Sequence, residues 1–419
     1  MEAYWIEGGR RLEGTVTIHG AKNSVLPILA ASACCAGVCE IDNCPDIDDV
    51  HTAVAILEHL GCRVQREGRR LRVDARTVDR WEIPQELMCA MRSSVLFLGP
   101  LLLRCGRAEL TFPGGCALGL RPIDLHLQAV ERLGGSWSVC GERILCRLGR
   151  AEGCCLHLRC PSVGATENAM VLALGCRGVT VIENAAMEPE IVDLARFLRA
   201  MGASIAGEGT GELTIEGGQP LHGCTYTVMP DRMETATYLC AAAGCGGRLF
   251  LRGAHSGSLT AVLEALRQCG CRIDEDPDGL AIAAPDRLEP AGWVITQPYP
   301  GFPTDAQAPL MAAVLRAGGC TGFVETIFEN RLRHVEQLRR LGADIRSYGN
   351  RALVRGVPQL QGACMEATDL RCGAALVIGA LQAEGESVVT GIGHIRRGYE
   401  AFLSGLRDIG ARVALTTCK

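Results

Sequence analysis

Residues 259–273, LTAVLEALRQCGCRI, have the pattern of an amphipathic helix that ends at a glycine and continues into a β-strand. Their apolar residues recur at three- and four-residue spacing, and a β-prone isoleucine follows Gly270. The same pattern recurs in HTAVAILEHLGCRV (51–64), DLHLQAVERLGGSW (124–137), EIVDLARFLRAMGASI (190–205), RLRHVEQLRRLGADI (331–345) and RGYEAFLSGLRDIGARV (397–413). Successive closing glycines are 68 to 73 residues apart, which predicts six copies of one structural unit.

A second helix, apolar on all sides, precedes each amphipathic helix, and a helix of this kind is buried. The six segments are NSVLPILAASACCAG, RSSVLFLGPLLLRCG, ENAMVLALGCRG, ETATYLCAAAGCGG, DAQAPLMAAVLRAGG and RCGAALVIGALQAEG. With the β-prone stretches between them, each unit reads helix, strand, helix, strand, strand. We therefore predict an α/β fold of two domains, each with three units whose apolar helices lie inside. A solenoid is the alternative, but its usual repeat is shorter, about 20–50 residues.

Composition excludes several classes of protein. The 419 residues are 48% hydrophobic and carry a net charge of −5 without a long basic run, which argues against nucleic-acid binding. No apolar run reaches the ~20 residues that a bilayer requires, and the first 15 residues lack the features of a leader sequence. We expect a cytoplasmic protein that does not bind membranes.

Cysteine and lysine usage are both unusual. The 23 cysteines include no C-x-x-C pair, and H-E-x-x-H is absent, so we expect neither a metal nor another cofactor. Most of the cysteines should fill the cores as small apolar residues. Lysine occurs only as Lys22 and Lys419, so Lys22 points to a role that arginine cannot fill, such as close contact with a phosphate or carboxylate.

Cations stand at the start of buried helices, where they oppose the helix dipole: Lys22, Arg92 and Arg371. This placement suggests that they answer an external negative charge and predicts an anion-binding cleft. Ser162 and Asp369, at two further helix starts, are equally well explained as ordinary N-caps.

The glycine-rich stretch PGGCALGLRP, residues 113–122, joins a strand to an amphipathic helix. We expect an exposed loop that covers a cleft, which sets Cys116 apart from the cysteines of the core. Arg121 in the same loop could stabilise a thiolate or an anionic substrate.

Several motifs resemble those of the UDP-N-acetylglucosamine 1-carboxyvinyltransferases, an enolpyruvyl transferase family. They are GAKNSVLPILAAS, MRSSVLFLGPLL, PGGCALGLRPIDLH, PSVGATEN, ENAAMEPEIVDLARFL, FPTDAQAP, ETIFENRLRHV, ATDLR and IRRGYE, in this order along the chain. The resemblance implies two inside-out α/β barrel domains of the EPSP synthase-like fold. Their limits would be residues 22–229 for the first domain, and 1–21 with 230–419 for the second.

The resemblance also implies a reaction, the transfer of enolpyruvyl from phosphoenolpyruvate to the 3′-hydroxyl of UDP-N-acetylglucosamine with release of phosphate. It is the first committed step of peptidoglycan synthesis. By the same resemblance, Cys116 is the general acid and the site of a covalent phosphoenolpyruvate adduct, and Asp305 is the base. Lys22 and Arg397 complete the catalytic set. We expect a monomer whose partners are these two substrates.

Resemblance further implies the residues that bind substrate: Lys22, Asn23, Arg92, Arg121, Pro122, Ile123, Asp124, Leu125, Ser162, Val163, Gly164, Asp305, Ile327, Arg331, Asp369, Arg371 and Arg397. Glu329 either supports Asp305 or is an ordinary solvated charge. Some members carry a lysine shortly before the SVG motif, where this chain has Cys160, so a diphosphate contact there is lost or moves to Arg159.

Two other functions stay open. The sister enzyme that acts on shikimate 3-phosphate shares the architecture, but it has a serine-type sequence after the first lysine and no loop cysteine. The other alternative is a non-catalytic or low-turnover paralogue that binds a UDP-sugar.

Overall fold

The computed structural model describes residues 1–112 and 123–417, which form two compact units. The N-terminal unit comprises residues 20–112 and 123–229, and the C-terminal unit comprises Met1–His19 and residues 230–417. The predicted domain limits at residues 22 and 230 lie within two residues of this division.

Short helices and strands alternate along the described residues. The helices are α1 (Lys22–Ala31), α2 (Asp48–His59), α3 (Gln85–Ala90), α4 (Leu98–Cys105), α5 (Asp124–Arg132), α6 (Val163–Ala173), α7 (Pro189–Ala200), α8 (Arg232–Cys245), α9 (Thr260–Gln268), α10 (Thr304–Ala313), α11 (His334–Arg339), α12 (Leu370–Gln382), α13 (Gly393–Arg396) and α14 (Phe402–Asp408). Within the described ranges, none of these helices combines the length and the apolar character needed to cross a membrane.

The strands are β1 (Glu2–Glu7), β2 (Glu13–Thr17), β3 (Val38–Asp42), β4 (Arg63–Glu67), β5 (Arg70–Asp74), β6 (Arg107–Thr111), β7 (Gly135–Cys140), β8 (Arg143–Leu148), β9 (Cys155–His157), β10 (Gly178–Glu183), β11 (Ser204–Ala206), β12 (Glu212–Gly217), β13 (Thr225–Thr227), β14 (Arg248–Arg252), β15 (Arg272–Asp276), β16 (Gly279–Ala283), β17 (Trp293–Ile295), β18 (Cys320–Val324), β19 (Asp344–Tyr348), β20 (Arg351–Arg355), β21 (Cys364–Glu366), β22 (Glu386–Thr390) and β23 (Arg412–Thr417).

Each repeat forms its own small sheet against a buried helix. The copy α8, β14, α9, β15, β16 is typical, with β14 and β15 both antiparallel to β16. A short parallel strand that the sequence pattern does not predict extends most of the sheets, as β2 does beside β14. The strand orders are β13-β3-β5-β4, β6-β8-β7 and β11-β12-β10-β9 in the N-terminal unit, and β15-β16-β14-β2, β17-β18-β20-β19 and β21-β22-β1-β23 in the C-terminal unit.

Burial confirms the predicted inside-out arrangement. Helix α12 is buried from Arg371 to Gln382, and α8 is buried from Arg232 to Ala243, whereas β20 alternates exposed and buried residues along its length. A helix without a polar face needs apolar neighbours all round, while a strand with one polar face can border water. The apolar helices therefore form the interior of each unit, and the sheets lie outside them.

The prediction that a left-handed glycine ends each helix is correct for the amphipathic helices and partly wrong for the buried ones. The six glycines after the amphipathic helices all have positive φ, from 85° to 103°, as expected for left-handed helix ends. Of the glycines that close the buried segments, Gly37 and Gly318 do not adopt this conformation. The segment from Arg92 also begins as a 3-10 turn, and its α-helix starts only at Leu98. Pro100 lies in the first turn of α4. It lacks the backbone N–H that an α-helix beginning at Arg92 would need at this position.

Candidate active site

In the C-terminal unit, the Asp305 carboxylate lies between two buried arginines. Its Oδ1 accepts a hydrogen bond from Arg331 Nη2 at 2.6 Å, and its Oδ2 accepts from Arg371 Nε at 3.1 Å and Nη2 at 3.0 Å. The side chains of Arg331 and Arg371 are 4% exposed, whereas that of Asp305 is 27% exposed. Three predicted site residues therefore form one rigid group with an accessible carboxylate.

The first turn of α12 fixes the position of Arg371. Asp369 caps this helix, because its carboxylate accepts the backbone N–H groups of Arg371 and Cys372 at 3.0 Å. The third donor of Arg371, Nη1, bonds Tyr399 Oη at 2.9 Å, and that hydroxyl also lies 2.7 Å from Thr237 Oγ1. Burial raises the pKa of Tyr399, so it stays a neutral hydroxyl. Asp369 thus acts here as an N-cap, while Tyr399 is a supporting residue that sequence analysis missed.

Glu325, and not Glu329, organises the segment beside Asp305. The buried Glu325 carboxylate accepts Thr304 Oγ1 at 2.9 Å and the backbone N–H groups of Ile327 and Phe328 at 2.7 and 3.0 Å. Glu329 is exposed, in line with the solvated alternative. Ile327 is 38% exposed, so Glu325 holds an accessible apolar side chain in a fixed turn.

Arg397 directly follows α13 and is half-buried. It lies two residues before Tyr399 in the sequence, so one short segment carries a predicted substrate cation and the hydroxyl that bonds Arg371.

In the N-terminal unit, Lys22 is the first residue of α1, and its ammonium group has a protein partner. Its Nζ lies 2.7 Å from Oδ2 of Asp49, in the first turn of α2, and the two side chains are only 11% and 4% exposed. Lys22 therefore has a counter-charge within the protein that the sequence analysis did not identify. An anion that binds Lys22 must share its ammonium group with Asp49. Asn23, the next residue, is exposed.

The start of α1 is also tied to helix α7. Ser24 Oγ donates a hydrogen bond to the buried Asp193, which accepts Tyr226 Oη at 2.6 Å and the Met229 backbone N–H at 3.2 Å. Burial raises the pKa of Asp193, although these hydrogen bonds oppose the shift. Asp193 thus holds the residue next to Asn23 in place.

A buried histidine links two predicted substrate-binding stretches. His126 Nδ1 lies 2.7 Å from Asn168 Nδ2, and a Cβ added at Gly164 would lie 3.2 Å from His126 Cε1. Burial, followed by the nearby Arg92, lowers the pKa of His126 to about 4, so the ring is neutral at pH 7. The stretches 123–125 and 162–164 therefore meet at a residue that sequence analysis did not select.

The rest of these two stretches has ordinary structural partners. Ser162 caps α6 by accepting the Ala165 N–H at 3.4 Å, ahead of the half-buried Val163. Ile123 and Leu125 are buried on either side of Asp124. Arg159 Nη2 bonds Asp124 at 2.5 Å, so the arginine next to Cys160 pairs with a predicted substrate residue.

Cys116, Arg121 and Pro122 lie outside the described residues. Within residues 1–112 and 123–417, no three His, Cys, Asp or Glu side chains are placed to hold a metal ion.

Comparison with known proteins identifies the family. The profile of the family EPSP synthase (3-phosphoshikimate 1-carboxyvinyltransferase) matches residues 6–406. The chain belongs to this family. Three curated relatives cover 99% of the chain and at least 99% of their own length, all named UDP-N-acetylglucosamine 1-carboxyvinyltransferase, the first with the suffix 2. They come from Caldanaerobacter subterraneus subsp. tengcongensis (46% identical), Dichelobacter nodosus (47%) and Lawsonia intracellularis (43%).

Solved structures of other proteins have the same fold. The enolpyruvyl transferase NikO from Streptomyces tendae is 26% identical and superposes with a TM-score of 0.91, covering 100% of this chain and 99% of its own. EPSP synthase from Acinetobacter baumannii gives a TM-score of 0.78 at 17% identity, with 100% of both chains covered, which shows the fold alone.

Proposed function

We propose that this chain transfers the enolpyruvyl group of phosphoenolpyruvate to the 3′-hydroxyl of UDP-N-acetylglucosamine and releases phosphate, the first committed step of peptidoglycan synthesis. The observation that carries the proposal is the full-length identity of 43–47% to three relatives named for this activity. The carboxylate between two buried arginines supports it, because the acceptor hydroxyl needs a base.

Asp305 is the proposed base. A general base must be ionised, and the guanidinium groups of Arg331 and Arg371 stabilise a carboxylate at hydrogen-bond distance. The exposed part of the Asp305 side chain leaves room for a hydroxyl to approach. The two arginines hold the Asp305 carboxylate in one orientation, and the hydrogen bond from Arg371 to Tyr399 holds Arg371 in place.

Lys22 and Arg397 are the proposed cations for the phosphate and carboxylate of phosphoenolpyruvate, with Arg92 and Arg121 in support. The short contact of Lys22 with Asp49 is compatible with this role, since a compact ammonium group with three donors can contact two anionic groups at once. The guanidinium group of an arginine is a wider planar fork, so an arginine at this position could not make the same compact contact.

Cys116 is the proposed general acid, which protonates the methylene carbon of phosphoenolpyruvate and can add covalently to it. A thiol has an ordinary pKa of about 8.5, close enough to neutrality for proton transfer. We predict that an alkylating epoxide adds covalently to the parent and to Cys140→Ala, but not to Cys116→Ala, as measured by the mass of the intact protein. An undiminished yield of the adduct in Cys116→Ala would contradict the assignment.

The nucleotide sugar is the proposed ligand of the remaining residues. These are Asn23, Pro122, Ile123, Asp124, Leu125, Ser162, Val163, Gly164, Ile327 and Asp369. Buried His126 and the capped start of α6 give two of these stretches fixed positions, and a helix start favours an anion such as a diphosphate.

A phosphate-release assay with both substrates tests the proposal. We expect phosphate release that requires UDP-N-acetylglucosamine and that falls at least a hundredfold in Asp305→Asn, which keeps size and hydrogen bonding but cannot take the proton. Turnover with shikimate 3-phosphate instead would favour the sister activity, and binding of the UDP-sugar without phosphate release would favour a non-catalytic paralogue. Sedimentation velocity at assay concentration tests the proposed monomer.

A further inference from the structure

Three cysteines of the N-terminal unit form a group that the proposed reaction does not use. Cys39 lies in β3, Cys224 immediately precedes β13, and Cys35 follows the end of the first buried helix. Strands β3 and β13 run parallel, with Thr225 opposite Glu40, so Cys224 is opposite Cys39. The hydrogen bond from Glu40 N to Cys224 O, at 2.8 Å, extends the pairing to this position.

The two thiols lie on the same face of the sheet. Residues opposite each other in parallel strands point to one side, and here that side is the core, where Cys39 is fully buried and Cys224 packs at the edge. Neighbouring strands lie about 4.8 Å apart, within the Cα separation of 4.4–6.8 Å that disulfides span. The backbone therefore already has a spacing that a Cys39–Cys224 bond can use.

The three thiols differ in their chemistry. The neighbouring Cys39 thiol lowers the pKa of Cys224, although the partial burial of Cys224 opposes this shift. The neighbouring Cys224 raises the pKa of Cys39 to about 11, and the neighbouring Cys39 together with burial raises the pKa of Cys35. Cys224 is only half-buried, so the thiol that ionises most readily is also the one that solvent reaches.

We propose that Cys224 and Cys39 form a peroxide-reactive thiol pair, in which Cys224 is oxidised first and Cys39 resolves it to a disulfide. The Cys224 thiolate attacks one oxygen of hydrogen peroxide, which breaks the O–O bond, forms a sulfenic acid and releases hydroxide. The sulfur of Cys39 then attacks the sulfenic sulfur, forms the S–S bond and breaks the S–O bond, and the sulfenic oxygen leaves as water with the proton of the Cys39 thiol. In total, two thiols give two electrons and two protons to one peroxide, which becomes two waters.

The proposal extends beyond the transferase activity and does not depend on it. The disulfide would tie β13 to β3. Tyr226 on β13 bonds Asp193, which also holds Ser24 beside the predicted site residue Asn23. The bond would thus fix one end of the hydrogen-bond chain that positions the start of α1.

Peptide mapping of the full chain after treatment with hydrogen peroxide tests the pair. We expect a cross-linked peptide that joins Cys39 to Cys224 and is lost on reduction. In Cys39→Ser, the cross-link should disappear and dimedone, which traps sulfenic acids, should label Cys224. A Cys35–Cys39 cross-link alone, or dimedone labelling of Cys39 that persists in Cys224→Ser, would overturn the assignment.

A matched pair of variants separates chemistry from folding. Cys39→Ser keeps a polar group beside Cys224, whereas Cys39→Ala removes it. Alkylation of Cys224 by limiting iodoacetamide at pH 7 should therefore be on the order of tenfold slower in Cys39→Ala than in Cys39→Ser. Exposed Cys140 serves as the internal reference and should react equally in both. Equal rates at Cys224 in two variants with the same unfolding temperature would refute the role given to Cys39.

Discussion

Replacement of Glu167 by glutamine should stabilise the protein relative to the parent, by a margin that grows as the pH rises. Glu167 lies on α6 and is only 4% exposed, and the negative charges of Glu190 and Glu188 act on its carboxyl group. Burial, followed by these two carboxylates, raises the pKa of Glu167 from 4.5 to about 8. The folded protein therefore holds a proton at neutral pH that the unfolded chain releases.

The sign and size of the effect follow from this difference in proton binding. The side chain contributes its full stability below pH 4.5 and loses it as the pH rises towards 8, at about 1.4 kcal/mol per pH unit. The loss at pH 7 is on the order of 3 kcal/mol, and at pH 8 it is about 4 kcal/mol. An amide does not ionise, so Glu167→Gln should gain over the parent by a margin that grows with pH.

Urea unfolding of parent and variant at pH 5, 6, 7 and 8 measures this margin. Glu86→Gln, which changes an exposed glutamate on α3, is the matched control and should give a difference of under 0.5 kcal/mol at every pH. A Glu167→Gln variant that is no more stable than the parent at pH 8, or a margin that does not change with pH, would show that folded Glu167 is already ionised.

Three further changes test other parts of the structure. Asp49→Asn should lower the free energy of unfolding by about 3 kcal/mol in urea titration, because it removes the carboxylate charge 2.7 Å from the Lys22 ammonium, whose side chain is only 11% exposed; a loss under 0.5 kcal/mol would contradict this. Arg371→Lys should reduce kcat/KM for phosphate release at least tenfold, because lysine cannot bond both Asp305 and its other partners; unchanged kinetics would count against the arrangement. In His126→Gln, the stability lost between pH 6.5 and 4 should be smaller by up to about 3 kcal/mol. In the parent, the unfolded chain binds a proton on this ring in that range, whereas burial keeps the folded ring neutral down to its pKa of about 4; equal losses in calorimetry would refute this.

The repeat architecture could be predicted because it depends on local patterns. A glycine after each amphipathic helix and an apolar helix before it appear in every copy, and both patterns reflect short-range physics. The short parallel strands were missed because β2 and β13 have partners that are distant in the sequence and only three to five residues of their own. Periodicity over so few residues carries little signal.

The charged residues of the candidate site could be predicted from the sequence, but the residues that contact them could not. Asp305, Arg331 and Arg371 stand in motifs that the family resemblance carries, and the structure brings them together. Asp49 and His126 were missed because an acidic residue in a first helical turn and a histidine on an apolar face are usually structural. Only the folded backbone places them against Lys22 and Gly164.

Strand β1 sits inside the last sheet, between β22 and β23, and pairs Glu2 with Thr417. During synthesis, this first strand leaves the ribosome long before either partner exists, and at 5–20 residues per second the wait is on the order of tens of seconds. The two described segments of the N-terminal unit, residues 20–112 and 123–229, are by contrast both made before Pro230, so this unit can fold while the rest of the chain is made. A nascent chain stalled before β22 should therefore hold a protease-resistant N-terminal unit and an accessible first strand, which makes Met1 a poor position for a bulky fusion partner.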